Sequence, residues 1–232
     1  MAIAADVSRV EKKFVLTTAV AENLFAKLRQ ILPGDDYSGY NPYYVRSLYF
    51  DSFKNDDYWD KLAGIELRKK IRLRVYNAEK SVIKLEVKQK EGENQRKRSL
   101  TIAHDEALDM INGNVDFLLK REDSIAQDIY YIFKTELYQP KCIVQYKRRA
   151  FAIPTNNIRI TFDSEITSSE GHFDLFDSFP GVVYPVESKN VVVLEVKYNH
   201  FLLSYIKDAL QMCDAVESSY SKYVTARMFS LG

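Results

Sequence analysis

Apolar and polar residues alternate with a period of two along much of this chain, over 9–16, 43–51, 66–76, 81–90, 96–102, 142–153, 158–166 and 191–198. Such alternation is the mark of strands with two unlike faces. Helical spacing replaces it at 20–32, where Leu24, Leu28, Ile31 and Leu32 share a face, and again at 105–112, 123–138 and 204–216. Gly113 stands where the second of these helices would need a C-cap. With only 8 Gly and 6 Pro, long linkers are not expected, and loops are placed at 33–42, 91–95 and 168–185. About eight strands with a few helices between them predict an α+β fold. The expected architecture is a single domain over 1–232, an antiparallel eight-stranded closed β-barrel with flanking helices.

The polar faces of these strands narrow the chemistry. Residues i and i+2 share a face, so Arg9, Glu11 and Lys13 align, as do Lys70, Arg72, Arg74 and Tyr76. Lys84, Glu86 and Lys88 form a third set, Tyr146 and Arg148 a fourth, and Arg159, Thr161 and Asp163 a fifth; Glu195 and Lys197 form the last. A sheet with one solvated face alternates in the same way. Solvated faces, however, usually mix neutral polar residues among their charges, whereas strand after strand here presents Arg or Lys. Arg72 and Arg74 lie side by side, which is repulsive without an anion between them. The pattern favours a charged interior that binds a polyanion, because buried charge must be paired and Arg and Lys match phosphate oxygens. Glu11, Glu86 and Glu195 then read either as ligands for Mg²⁺ or Mn²⁺ or as ion-pair partners of the neighbouring cations.

Composition sets the outer bounds. Lys and Arg total 33 against 32 Asp and Glu, a formal charge of +1, which disfavours a nucleic-acid coat or a polybasic membrane binder. No apolar run reaches the roughly 20 residues of a membrane helix, so direct membrane insertion is not expected. Cys142 and Cys213 form no metal-ligand spacing, and a reduced, cytoplasmic setting is the expectation. No Gly-rich phosphate loop is present, so any triphosphate must be gripped by side chains. His104, His172 and His200 are scattered and read as loop or helix-end residues.

Short motifs then line up with a known family. Arg9–x–Glu11–x–Lys13–Phe14, Ser47–Leu48–Tyr49–Phe50–Asp51, Arg72–x–Arg74–x–Tyr76, Glu86–x–Lys88 and Tyr146–x–Arg148–x–Ala150–Phe151 occur in order, followed by Arg159–Ile160–Thr161–Phe162–Asp163, Leu194–Glu195–Val196–Lys197–Tyr198 and Ser221–Lys222–Tyr223. Together they resemble the VTC (vacuolar transporter chaperone) domain, a polyphosphate polymerase domain of the CYTH-like triphosphate tunnel metalloenzymes. The resemblance implies a triphosphate tunnel and an enzyme that moves the terminal phosphoryl group of ATP to a growing polyphosphate chain. Carried over position by position, it implies that Arg72, Arg74, Arg148, Arg159 and Lys222 act on the phosphoryl group. Lys13, Lys88 and Lys97 (with Arg98 as the neighbouring choice) hold phosphates, joined by Arg9, Lys84 and Lys197 from the same faces. Tyr146 and Ser221 add hydrogen bonds, and Glu195 is the metal ligand, with Glu11 and Glu86 as further carboxylates. The implied cofactor is Mn²⁺ or Mg²⁺. The implied partners are ATP, polyphosphate or tripolyphosphate, with no nucleic acid and with room for a membrane partner that receives the product.

Three departures from the family bear on the chemistry. The membrane helices and inositol-phosphate-sensing domain of eukaryotic members are absent from this sequence, so coupling to translocation is not implied. Ser219 stands where eukaryotic members can carry another Lys. Arg9 stands where the adenylate cyclase and thiamine-triphosphatase branch carries a Glu of its ExExK motif, which favours the polymerase-like branch. Two other readings stay open: a tripolyphosphatase or nucleoside triphosphatase on the same fold, and a non-catalytic polyphosphate-binding module.

Overall fold

A computed structural model describes residues 9–79, 82–92, 94–177, 182–213 and 215–231. The principal strands are β1 (Arg9–Thr17), β2 (Tyr43–Asp51), β3 (Arg68–Tyr76), β4 (Ile83–Glu91), β5 (Asn94–Ile102), β6 (Gln139–Ile153), β7 (Ile158–Ser169) and β9 (Val191–Asn199), with a two-residue β8 (Tyr184–Pro185). The helices are α1 (Thr18–Arg29), α2 (Asp56–Leu62), α3 (His104–Ile111), α4 (Ser124–Thr135), α5 (Ser204–Gln211) and α6 (Lys222–Leu231). All eight predicted strands are present, although Ser81, in the expected 81–90 segment, lies outside the described residues. The helix at the end of the 204–216 segment stops at Gln211, and the one expected over 123–138 stops at Thr135. Helix α6 was not expected. It carries little periodic apolar signal, so packing against its neighbours secures it.

The strands pair in the order β1-β9-β7-β6-β2-β3-β4-β5, with β8 on β7. The fold is therefore α+β with an antiparallel sheet and flanking helices, but the expectation of a closed barrel is corrected. β1 and β5 end the order and are not paired with each other among the described residues. Each outer edge is managed in another way. Lys13 O on β1 accepts from Ser218 N at 2.8 Å, beside a bridge between Phe14 and Glu217. β5 carries Arg96, Lys97 and Arg98 and is mostly exposed, which blunts an edge by charge.

The chain divides into two compact units, 1–43 with 146–166 and 187–220, and 44–145 with 167–186 and 221–232. In the first, the apolar face of its strands (Leu16, Ile160, Phe162, Val192, Leu194, Val196) packs on Leu24, Phe25 and Leu28 of α1 and on Ile206 of α5. Thr17 caps α1 by accepting from Val20 N at 3.4 Å. In the second unit, Leu48, Phe50, Ile71, Leu73, Val75, Leu85 and Val87 pack on Ala107 and Met110 of α3 and on Ala126, Ile129 and Phe133 of α4. Gly113 ends α3 with φ +87°, the left-handed conformation its position demands. In both units the helices cover the apolar face, and the charged face is the other one.

A buried carboxylate pair ties α2 and α6 to the second unit. Asp51, at the end of β2, accepts from the backbone N–H groups of Ser52 (2.7 Å), Asp57 (2.9 Å) and Tyr58 (3.0 Å) and from the Tyr223 hydroxyl (2.5 Å). Asp57 accepts from the Tyr138 hydroxyl at 2.8 Å and lies 3.9 Å from Lys69. Burial, then the Asp51 charge, push the Asp57 carboxyl up to about 8 despite Tyr138 and Lys69. Because that value is above the unfolded one, the folded state holds a proton that the unfolded chain releases. Stability should therefore fall as pH rises from about 4 to about 8 and level off beyond it. Urea unfolding across that range should show a shallower fall for Asp57→Asn than for the native chain; equal slopes would assign the proton elsewhere.

Candidate phosphate-binding and metal site

The charged face of the second unit is built as three cross-strand rows. Tyr49, Arg72, Glu86 and Ser99 form the middle one, Ser47, Arg74, Lys84 and Thr101 the next, and Lys70, Lys88 and Lys97 the third. Arg72 donates to Glu86 through Nε at 2.8 Å, with a second guanidinium nitrogen also 2.8 Å from the same carboxylate, and reaches the Tyr49 hydroxyl at 3.0 Å. Arg74 donates to Ser47 Oγ at 3.1 Å and lies 3.8 Å from Glu86. Lys97 donates to the other oxygen of Glu86. Burial alone would raise the Glu86 carboxyl; the Arg72, Arg74 and Lys97 charges outweigh it and hold it well below the usual carboxylate range. The anion that the Arg72–Arg74 repulsion required is thus supplied, at least in part, from within the chain.

The remaining expected residues of this unit lie around those rows. Lys84 donates to Thr101 Oγ1 at 2.6 Å, across the row they share. Lys70 donates to Ser221 Oγ at 2.6 Å, so the residue just before α6 meets β3. Tyr223 stacks on Tyr49 with ring centroids 5.1 Å apart, and Arg72 stands 5.7 Å above the Tyr49 ring. Ser221 is thereby set beside the cationic rows, and the half-buried Lys222 begins α6 directly after it. Sequence reasoning had no place for Tyr49 or Ser47 at the site, although both sit on alternate positions of β2 and so share its polar face. The role of Asp51 in holding α6 has no local signal, because its partner Tyr223 is 172 residues away in sequence.

In the first unit the rows run over β1, β9 and β7. Glu11, Lys197 and Arg159 form one, and Lys13, Glu195 and Thr161 the next. Lys197 pairs with Glu195 and lies 3.7 Å from Glu11, which is 3.5 Å from Lys13. Lys13 Nζ also donates to Tyr220 O at 2.9 Å. Arg148 holds Asp163 in a two-pronged grip at 2.7 and 2.8 Å and lies over the Tyr146 ring, 5.1 Å from its centre. Burial would lower the Arg148 guanidinium, but the Asp163 carboxylate raises it well above its ordinary value, so it stays charged. Arg159 donates to Asp35 at 2.8 Å and to the Tyr43 hydroxyl at 3.1 Å. Asp35 is placed by a tight loop in which a Cβ on Gly34 would stand only 2.3 Å from the Gly39 carbonyl carbon. The side chain of Arg9 lies outside the described residues.

These placements decide between a solvated face and a shielded one. Arg74, Glu86, Arg148, Thr161, Asp163 and Glu195 are each less than 10% exposed. A solvated face would leave such side chains in water. A further group of potential metal ligands, not foreseen from the sequence, is His172, Asp174 and Asp177, whose donor atoms lie within 4.8 Å of one another in the second unit.

Comparison with known proteins places the chain. Residues 8–230 match the VTC domain. The chain belongs to the VTC domain family. No curated protein matches it in sequence. Among solved structures, this VTC domain is similar to a Hippeastrum protein assigned as an adenylyl cyclase and described as having a dominant triphosphatase activity. That pair has a TM-score of 0.56 and 13% identity, with 95% of each chain covered. Proteins assigned as adenylate cyclases from Bacillus halodurans (TM-score 0.55, 12% identity, 96% of this chain and 97% of that one) and Vibrio parahaemolyticus (0.52, 13%, 94% and 96%) share the fold as well. At these identities the likeness speaks for the fold alone, and the expected family is borne out by the VTC domain match. No helix among the described residues is long and apolar enough to cross a membrane.

Glu86 offers a sharp test, since a counter-ion and a metal ligand respond oppositely to neutralisation. Glu86→Gln should bind tripolyphosphate more tightly in the absence of metal, as the internal competitor for Arg72 and Lys97 is gone. It should also lose about 2 kcal/mol of stability, less than a fully buried pair because Lys97 and Arg72 are partly exposed. Calorimetric titration and urea unfolding check both; weaker binding would make Glu86 part of the ligand machinery instead.

Proposed function

We propose that this VTC domain is a metal-dependent phosphoryl transferase that binds ATP and polyphosphate and passes the γ-phosphoryl group to the end of a polyphosphate chain. The observation that carries this reading is the alignment of Lys70, Arg72, Arg74, Lys84, Lys88 and Lys97 in adjacent cross-strand rows around the buried Arg74 and Glu86. A polyanion is the ligand such an alignment selects. Membership of the VTC domain family supports the same reading.

The chain's own residues account for most of the chemistry. Arg72, Arg74, Lys88, Lys97 and Lys222 bind and orient phosphates in the second unit, and Lys13, Arg148, Arg159 and Lys197 do so in the first. Tyr146 and Ser221 contribute hydrogen bonds, with Arg9 and Lys84 as outer contacts. Neutralising phosphate charge lets an anionic acceptor approach, and fixed donors stabilise the charge that develops during transfer. Little covalent work is asked of the protein. The pairings of Arg148 with Asp163 and of Arg159 with Asp35 preset the two guanidinium groups before any substrate arrives.

The donor set also fits a hard divalent cation. Glu195 and Glu11 are two carboxylates within reach of one ammonium group, that of Lys197, and the buried hydroxyl of Thr161 stands across from Glu195 without a hydrogen-bond partner among the described residues. All are oxygen donors of the kind Mg²⁺ and Mn²⁺ prefer. Held there, either ion supplies charge neutralisation at the phosphate oxygens.

Incubation with ATP and Mn²⁺, with and without a pyrophosphate primer, should yield internal chain phosphates by phosphorus NMR, matched by ADP. Orthophosphate alone would move the protein to the triphosphatase reading, and bound but unchanged ATP to a binding module. Arg72→Ala and Arg159→Ala should each slow turnover roughly 10³-fold. Glu195→Gln should abolish turnover while sparing most polyphosphate binding.

A further inference from the structure

Thr161 is a buried residue of β7, 4% exposed, and its Oγ1 is withheld from solvent with no hydrogen-bond partner among the described residues. An unpaired hydroxyl in such a place is destabilising, because it has given up water without gaining a partner. Valine has the same branched shape, suits a strand at least as well and carries no such penalty. The hydroxyl is therefore an expense with no structural return inside the protein.

Its neighbours say what it faces. The β7–β9 register sets Thr161 directly opposite Glu195, and β1–β9 sets Lys13 on the other side of Glu195, so the three residues form one row on one face. Directly opposed side chains stand about 5 Å apart at Cβ. The adjoining row holds Glu11, Lys197 and Arg159. The apolar neighbours Ile160 and Phe162 point to the opposite, helix-covered face. An acceptor oxygen thus lies beside the carboxylates and apart from the core.

We propose that Thr161 Oγ1 is a neutral oxygen donor to the divalent cation held by Glu195 and Glu11. This rests on the metal reading above and adds a residue to it. A hydroxyl suits the place better than a third carboxylate, because it adds a donor without adding charge next to two glutamates. It also suits a hard ion, which accepts neutral oxygens alongside carboxylates.

The test measures Mn²⁺ alone, with neither nucleotide nor phosphate, through the electron paramagnetic resonance signal of the free ion. Thr161→Val and Thr161→Ala should each weaken Mn²⁺ binding about 10-fold, Thr161→Ser should keep it, and Glu195→Gln should lose it. Thr161→Val should unfold in urea no earlier than the native chain, which separates a lost ligand from lost structure. Native Mn²⁺ affinity in Thr161→Val and Thr161→Ala, alongside a defective Glu195→Gln, would overturn the inference while leaving the metal reading standing. If those variants instead weaken only tripolyphosphate binding, the hydroxyl serves phosphate and the inference is again overturned. A native chain that binds no Mn²⁺ would remove the metal reading and this inference together.

Discussion

Charge withheld from water must find charge of the opposite sign, and the charged faces of this protein are organised by that requirement. Alternation along each strand fixes which side chains share a face, and helices claim the apolar one. The charged side chains are left to settle accounts among themselves. In the second unit one carboxylate, Glu86, gathers Arg72, Arg74 and Lys97. In the first, the buried Arg148 has Asp163, while the partly exposed Arg159 has Asp35 and Lys197 has Glu195 and Glu11.

The two units consequently offer different chemistry. Cationic rows gathered around Glu86 suit phosphate binding, since their geometry is set by register. Carboxylates in register with Lys13 and Lys197, with a hydroxyl opposite, suit an ion bound together with phosphate. Internal pairing also holds the guanidinium groups of Arg148 and Arg159 in place. Preorganisation of that kind limits the entropy that binding would otherwise lose.

Elements that sequence reasoning overlooked do much of the positioning. Helix α6 presents Ser221 and Lys222, yet its place depends on Tyr223 reaching Asp51 and stacking on Tyr49, and on Ala226 O accepting from the Tyr184 hydroxyl at 2.9 Å. The segment at 33–42 was expected as a loop; Tyr43, just beyond it, is buried and Tyr37 packs on it at 4.7 Å. That the same loop delivers Asp35 to Arg159 depends on contacts 124 residues apart.

Local periodicity determined the strands, the longer helices and the membership of each charged face, because a period of two or 3.6 is written in neighbouring residues. Ordered short motifs determined the family, since the strands that carry them are the ones that carry the charge. Tertiary structure alone decided which carboxylate meets which cation: Glu86 lies against Arg72 and Arg74 of β3 and Lys97 of β5, a meeting that no local pattern announces. It also decided that the strand order stays open, because β1 finds residues 217 and 218 for its outer edge and β5 defends its own with Arg and Lys. Such choices depend on which distant segments meet, and no local pattern encodes a meeting.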